Sequence, residues 1–177
     1  MKGKLLIATP NLLTDGIFSQ SVILIADRHS DGTVGFMLNK PFRARLNDVT
    51  QIPLAFPIYN GGPVEQDKLY YIHRIPDIVT GSLPIGDGLY WGGDLKNIIN
   101  GLYDETFLSD KIKFFAGYSG WSKGQLEDEI EDEAWFVAPL DFDPITALSK
   151  DMWKTLLVKI RPDLTLWKDA PSDPALN

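Results

Sequence analysis

The stretch GYSGWSKGQLEDEIEDEAWF, residues 117–136, decides the fold. The segment before it, KIKFFAGY (111–118), is rich in aromatic and β-branched residues and reads as a strand. Within the stretch, Leu126, Ile130 and Ala134 recur at helical spacing and turn one apolar face inward, while Glu127, Asp128, Glu129, Glu131, Asp132 and Glu133 fill the rest. WFVAPL (135–140) then reads as a second strand. Strand, corner, helix and strand in so short a span point to a mixed fold.

The corner itself has a structural reading and a chemical one. A helix that begins after Ser122 takes that residue as N-cap and Gln125 as third helical residue, a capping box, with Trp121 and Leu126 at the two sites of a hydrophobic staple. Acids early in the helix suit its positive end, whereas Asp132 and Glu133 oppose the macrodipole and call for another reason, solubility or a basic partner. The chemical reading is a nucleophile elbow, with Ser119 on a tight turn between strand and helix. That motif wants glycine two residues after the serine; Gly120 comes one after, and Trp121 fills the required place. A base is also needed, and the only histidines are His29, in the expected turn HSDG, and His73, in a strand. The structural reading is therefore preferred, and no catalytic residue is assigned. The alternative is a serine-dependent hydrolase using Ser119.

Outward from the corner, strand and helix signals alternate. GKLLIA (3–8), SVILIADR (21–28), TVGFMLNK (33–40) and KLYYIHRI (68–75) read as strands, giving five or six in all. Asp94 is a natural N-cap for a helix whose Leu95, Ile98, Ile99 and Leu102 form one stripe. Asp143 followed by Pro144 predicts another helix start, and Met152, Trp153, Leu156, Leu157 and Ile160 share a helical face. A shorter helix is expected at RLNDVTQI (45–52). One domain over residues 1–162 is expected, followed by a loosely ordered tail, 163–177, where prolines accumulate.

The composition excludes several chemistries. The chain has 177 residues, net charge −7 and no cysteine, which removes disulfides, thiolate catalysis and cysteine-type zinc sites. Lysine and arginine are not clustered, so direct nucleic-acid binding is not expected. The apolar run after Met1 is broken by Pro10, Asn11 and Asp15, too early for a membrane span or signal segment, and a cytoplasmic protein without a membrane partner is expected. The glycine pairs in NGGP (60–63) and WGGD (91–94) lack P-loop or dinucleotide spacing, and neither a metal site nor a cofactor is assigned.

ATPNLLTDGIFSQSVILI (8–25), GFMLNKP (35–41), YNGGPV (59–64) and GYSGWSKGQLEDEI (117–130), in this order, resemble the AlgH/YqgE family of uncharacterised bacterial proteins. The resemblance implies an α+β fold in which a mostly antiparallel, bifurcated sheet curls into a pseudo-barrel with helices packed on it. Its name as a transcriptional regulator implies no DNA-binding motif, so any role in transcription would be indirect, through an unknown protein or small-molecule partner. The motifs nominate a non-enzymatic binding surface of Asn39, Lys40, Gly61, Gly62, Gly117, Ser119 and Trp121. Each has a structural alternative: Asn39 ends a strand, the glycines permit turns, and Trp121 staples a helix.

Overall fold

The computed structural model describes residues 1–107 and 109–176. Ten strands form one mostly antiparallel sheet that does not close. They are β1 (Lys4–Ala8), β2 (Val22–His29), β3 (Gly32–Met37), β4 (Pro41–Arg45), β5 (Pro57–Asn60), β6 (Val64–His73), β7 (Leu83–Gly86), β8 (Leu89–Trp91), β9 (Ile112–Ser122) and β10 (Trp135–Pro139). The α-helices are α1 (Leu46–Val49), α2 (Leu95–Tyr103), α3 (Gln125–Glu131) and α4 (Met152–Ile160). The fold is α+β, as the sequence implied.

The longest strand, β9, is where the sheet branches. Along one edge it pairs with β6 through Ile112–Ala116 and Tyr118. Along the other, its first half takes β5 in parallel and its second half takes β3 antiparallel, with Gly32 opposite Ser122. The main path then runs β10, β1, β2, β3, β9, β6, β8 and β7. The far strand β7 curls back to touch β2, yet β7 and β10 share no ladder, so the curl stays open.

Side-chain alternation along β9 divides the apolar interior in two. Phe115 faces a core of Leu5, Ile7, Ile23, Phe36 and the α4 face of Met152, Trp153, Leu156 and Leu157. Ile112, Phe114 and Ala116 face the other, with Leu46, Ile58, Tyr71 and Ile98. Trp153 Nε1 donates to the Ala8 carbonyl at 2.8 Å, which satisfies its polar edge while the ring stays buried. The register of α4 on the sheet is thereby fixed by a hydrogen bond as well as by packing.

Several local expectations change. Ser122 is the last residue of β9 rather than a helix N-cap, because its ladder with β3 outcompetes the start of a helix. The cap is Gly124, in the left-handed region at φ 83°, and α3 has only seven residues. Half of the expected box survives, since Gln125 Oε1 accepts from the Ser122 backbone N–H at 3.0 Å. At Asp143, a single turn closes through Ala147 N–H to the Asp143 carbonyl and goes no further; the helix proper is α4. The strands beyond the expected six are β4, β5, β7 and β8, each three to five residues long. So few residues carry little periodic signal, and two of them open with proline. Past Arg161 the chain forms a 3-10 helix (Pro162–Asp169), and the Gln20 side-chain amide donates to the carbonyls of Ala170 and Pro171. Asn177, the end of the expected tail, lies outside the described residues.

Candidate functional site

Four of the seven nominated residues meet at one crossing. Gly61 and Gly62 follow β5 and run directly against residues 117–119 of β9. A Cβ on Gly61 would overlap the Gly117 carbonyl, and one on Gly62 would overlap the Tyr118 carbonyl. Gly117, at φ 70°, leaves 2.6 Å between its own notional Cβ and the Val64 carbonyl. Such backbone-to-backbone contact admits only glycine. Ser119 closes the crossing: its Oγ donates to the Gly61 carbonyl at 3.0 Å, and that carbonyl also accepts from Met37 N–H at 3.0 Å.

Ser119 is fully buried within the sheet, opposite Gly35. A nucleophile must be reachable and must touch a base, and neither holds here. His73 pairs with Ile112, seven residues along β9, roughly 20 Å away at the rise of a strand. Its Nε2 donates to the Gly92 carbonyl at 3.0 Å, its Nδ1 accepts from Ile75 N–H at 3.3 Å, and burial lowers its pKa. His29 is exposed and lies 3.3 Å from Asp27. The reading of Ser119 as the nucleophile of a hydrolase with His73 or an acid thus loses its access and its histidine base.

Trp121 is buried and stands edge-on to Trp135, with centroids 6.1 Å apart. Both indole N–H groups donate to Glu129 Oε2, each at 2.8 Å. That contact gives one carboxylate of α3 a reason independent of solubility. Trp121 therefore holds α3 onto the sheet; the residue also borders an open groove with His29, Thr33, Val64 and Tyr118.

The other two nominated residues stand beside a cleft. The Asn39 side chain mimics a strand neighbour, accepting from Val22 N–H and donating to the Gln20 carbonyl, both at 2.9 Å. Lys40 Nζ donates to the Ser19 carbonyl at 2.5 Å, and burial lowers its pKa. Among the described residues no carboxylate pairs with it. Lys40, Ser19, Asn60, Pro63 and Gln66 line a cleft of about 430 Å³, over which Ser172 and Pro174 pass. Gln66 Nε2 donates to Asn60 Oδ1 at 3.1 Å, which leaves the Asn60 amide N–H groups available.

A second cleft, of about 550 Å³, is lined by Phe56, Tyr59, Ile112, Phe114 and Ile145 together with Lys113. Lys113 is 4% exposed. Its Nζ donates to the carbonyls of Leu38 at 3.0 Å and Pro144 at 3.4 Å and sits 4.0 Å above the Tyr59 ring. Burial pushes its ammonium down to about 8, against the opposing pull of Asp143. Sequence reading passed over this residue. The available signal was a lysine flanked by Ile112 and Phe114 in an otherwise apolar strand, since lysine is almost never fully buried without a purpose.

The described residues contain no group of three His, Asp or Glu placed to hold a metal ion, and no helix long and apolar enough to cross a membrane. The class defined by these features is an open, branched α+β sheet with two lysine-containing clefts, each lined in part by β5. The chain belongs to the AlgH-like family, whose model matches residues 5–165. A UPF0301 protein of Cytophaga hutchinsonii is 37% identical over 99% of this chain and 98% of its own, and one of Bacteroides fragilis is 36% identical over 99% and 91%. Among solved structures, the AlgH protein of Pseudomonas aeruginosa superposes with a TM-score of 0.76 at 26% identity, covering 97% of this chain and 94% of that one. A Corynebacterium diphtheriae protein superposes with a TM-score of 0.75 at 25% identity, covering 94% and 90%.

Proposed function

We propose that this chain is a non-enzymatic binding domain that takes a small anionic ligand in the cleft around Lys40. The observation that carries the reading is convergence. Three sequence stretches far apart in the chain, 8–25, 35–41 and 59–64, supply Ser19, Lys40, Asn60 and Pro63 to one cleft. Among the described residues Lys40 is the one charged side chain lining it, and no carboxylate pairs with it. A half-buried ammonium beside free amide donors favours a carboxylate or phosphate over any cation or neutral guest. A role in transcription would then be indirect, exerted through a protein that distinguishes the liganded from the empty form.

Native mass spectrometry of the protein, gently isolated from its own cells, tests this reading. A retained small anion that is lost in Lys40→Gln, with unchanged thermal stability, is the expected result. Retention of the same molecule by Lys40→Gln would overturn it. So would the absence of any retained molecule together with no stabilisation by millimolar phosphate or acetate.

A further inference from the structure

We propose that the cleft over Lys113 is a second and separate ligand site, built for a small apolar or aromatic carboxylic acid whose carboxylate pairs with the Lys113 ammonium. Three observations converge on it.

The first is an unspent donor. An ammonium has three N–H groups, and Lys113 uses two of them on the Leu38 and Pro144 carbonyls. The third has no hydrogen-bond partner among the described residues, although the side chain is almost wholly withdrawn from water.

The second is an unpaired charge. Placing a cation in an apolar interior is costly unless an anion accompanies it. The carboxylate that acts on Lys113 is that of Asp143, which is engaged elsewhere: Arg74 lies 3.5 Å from its Oδ1, and it also accepts from Ile145 N–H and from the Thr146 hydroxyl. Asp110 lines the same cleft but forms no ion pair with Lys113 within 4 Å. The carbonyls and the Tyr59 ring face soften the field without neutralising it.

The third is the shape and chemistry of the walls. Leu54, Phe56, Phe114 and Ile145 present apolar surface, and the volume of about 550 Å³ is ample for a molecule the size of an arylalkanoate. A mostly apolar cleft with a buried lysine among its lining residues discriminates by charge: an acid gains a charge-assisted contact, whereas the neutral amide of equal size gains only burial. A phosphate or a polyanion suits the site less well, because the walls offer few further donors and Asp110 and Asp143 are close by.

Isothermal titration at pH 7 with 4-phenylbutyrate and its neutral counterpart, 4-phenylbutyramide, tests the proposal. The acid is expected to bind at least tenfold more tightly than the amide. Lys113→Met should weaken the acid at least tenfold and leave the amide nearly unchanged. Because Lys113→Met also strands two carbonyls, Thr146→Trp supplies a second test. Thr146 is an exposed residue at the cleft mouth, and an indole there should block both probes while Lys113 stays intact. Equal affinity for acid and amide overturns the proposal, as does unchanged acid binding in a folded Lys113→Met or Thr146→Trp protein, or no binding of the acid at millimolar concentration.

Discussion

Ser119 Oγ donates to the carbonyl of Gly61 at 3.0 Å, joining two residues 58 positions apart in the chain. The serine that most resembled a nucleophile is a clasp between β9 and the loop after β5. It works only because Gly62 and Gly117 let the two backbones touch.

Gly62→Ala is expected to destabilise the fold by about 3 kcal/mol or more, since the new methyl meets the Tyr118 backbone rather than a yielding side chain and the residue holds φ at 151°. Gly16→Ala, where a methyl meets nothing within 4 Å, should stay within about 0.5 kcal/mol of the parent. Urea unfolding of the two variants side by side checks the contrast. Equal losses would remove the backbone crossing as the cause.

Glu129→Ala strands two buried indole donors at once and should cost about 2 to 3 kcal/mol, with a change in tryptophan fluorescence. Glu129→Gln keeps an acceptor oxygen and should lose less than half of that. Trp121→Ala removes the ring itself and is expected to cost about 2 to 4 kcal/mol. An unchanged melting temperature in Trp121→Ala would move that residue from the architecture to the surface.

Lys113 imposes a pH dependence of known sign. Its folded-state pKa, about 8, lies below the ordinary value of 10.5, so the unfolded chain binds more protons between those limits and stability rises with pH there. Below pH 8 the burial of the charged form is fully felt, to the extent of about 3 kcal/mol. The groups facing it are Asp143, Asp110 and Tyr59, with Arg74 drawing Asp143 aside. Lys40 acts in the same direction, while Tyr70, whose phenol is raised by burial and by Glu65, acts oppositely only above pH 10. Stability measured from pH 7 to 9.5 should therefore rise in the parent, and much less steeply in Lys113→Met. Parallel curves would show that Lys113 is not the titrating group.

His73 sets a second slope on the acid side. Its ring donates through Nε2 and accepts at Nδ1, so protonation would turn a hydrogen-bond acceptor into a second donor facing Ile75 N–H. The lowered folded pKa means that the unfolded chain gains the proton first, and stability falls as pH drops below about 6.5. A larger loss from pH 7 to 5 is expected in the parent than in His73→Gln. Denaturant midpoints at three pH values decide it, and identical slopes would reject it.

By itself, the sequence determined the mixed class, the strands over Lys4–Ala8 and Val22–His29 and the first part of β9 in outline, and α2 with its Asp94 cap, whereas residues 119–122, read as a corner and a helix start, continue β9. These rest on periodicity and on capping within a few residues, which a linear reading captures. The motifs also nominated Gly61, Gly62, Gly117 and Ser119, together with Asn39, Lys40 and Trp121, as a binding surface. What they do was decided only by tertiary structure: a clash exists only once a distant backbone arrives, and no local pattern says that Gly62 will lie on Tyr118. The same holds for Ser122, whose helix-capping signal yielded to a ladder with β3, and for Lys113. One strand's alternation shows which residues share a face, but only the elements packed over that face decide whether a lysine there meets water or an apolar cleft.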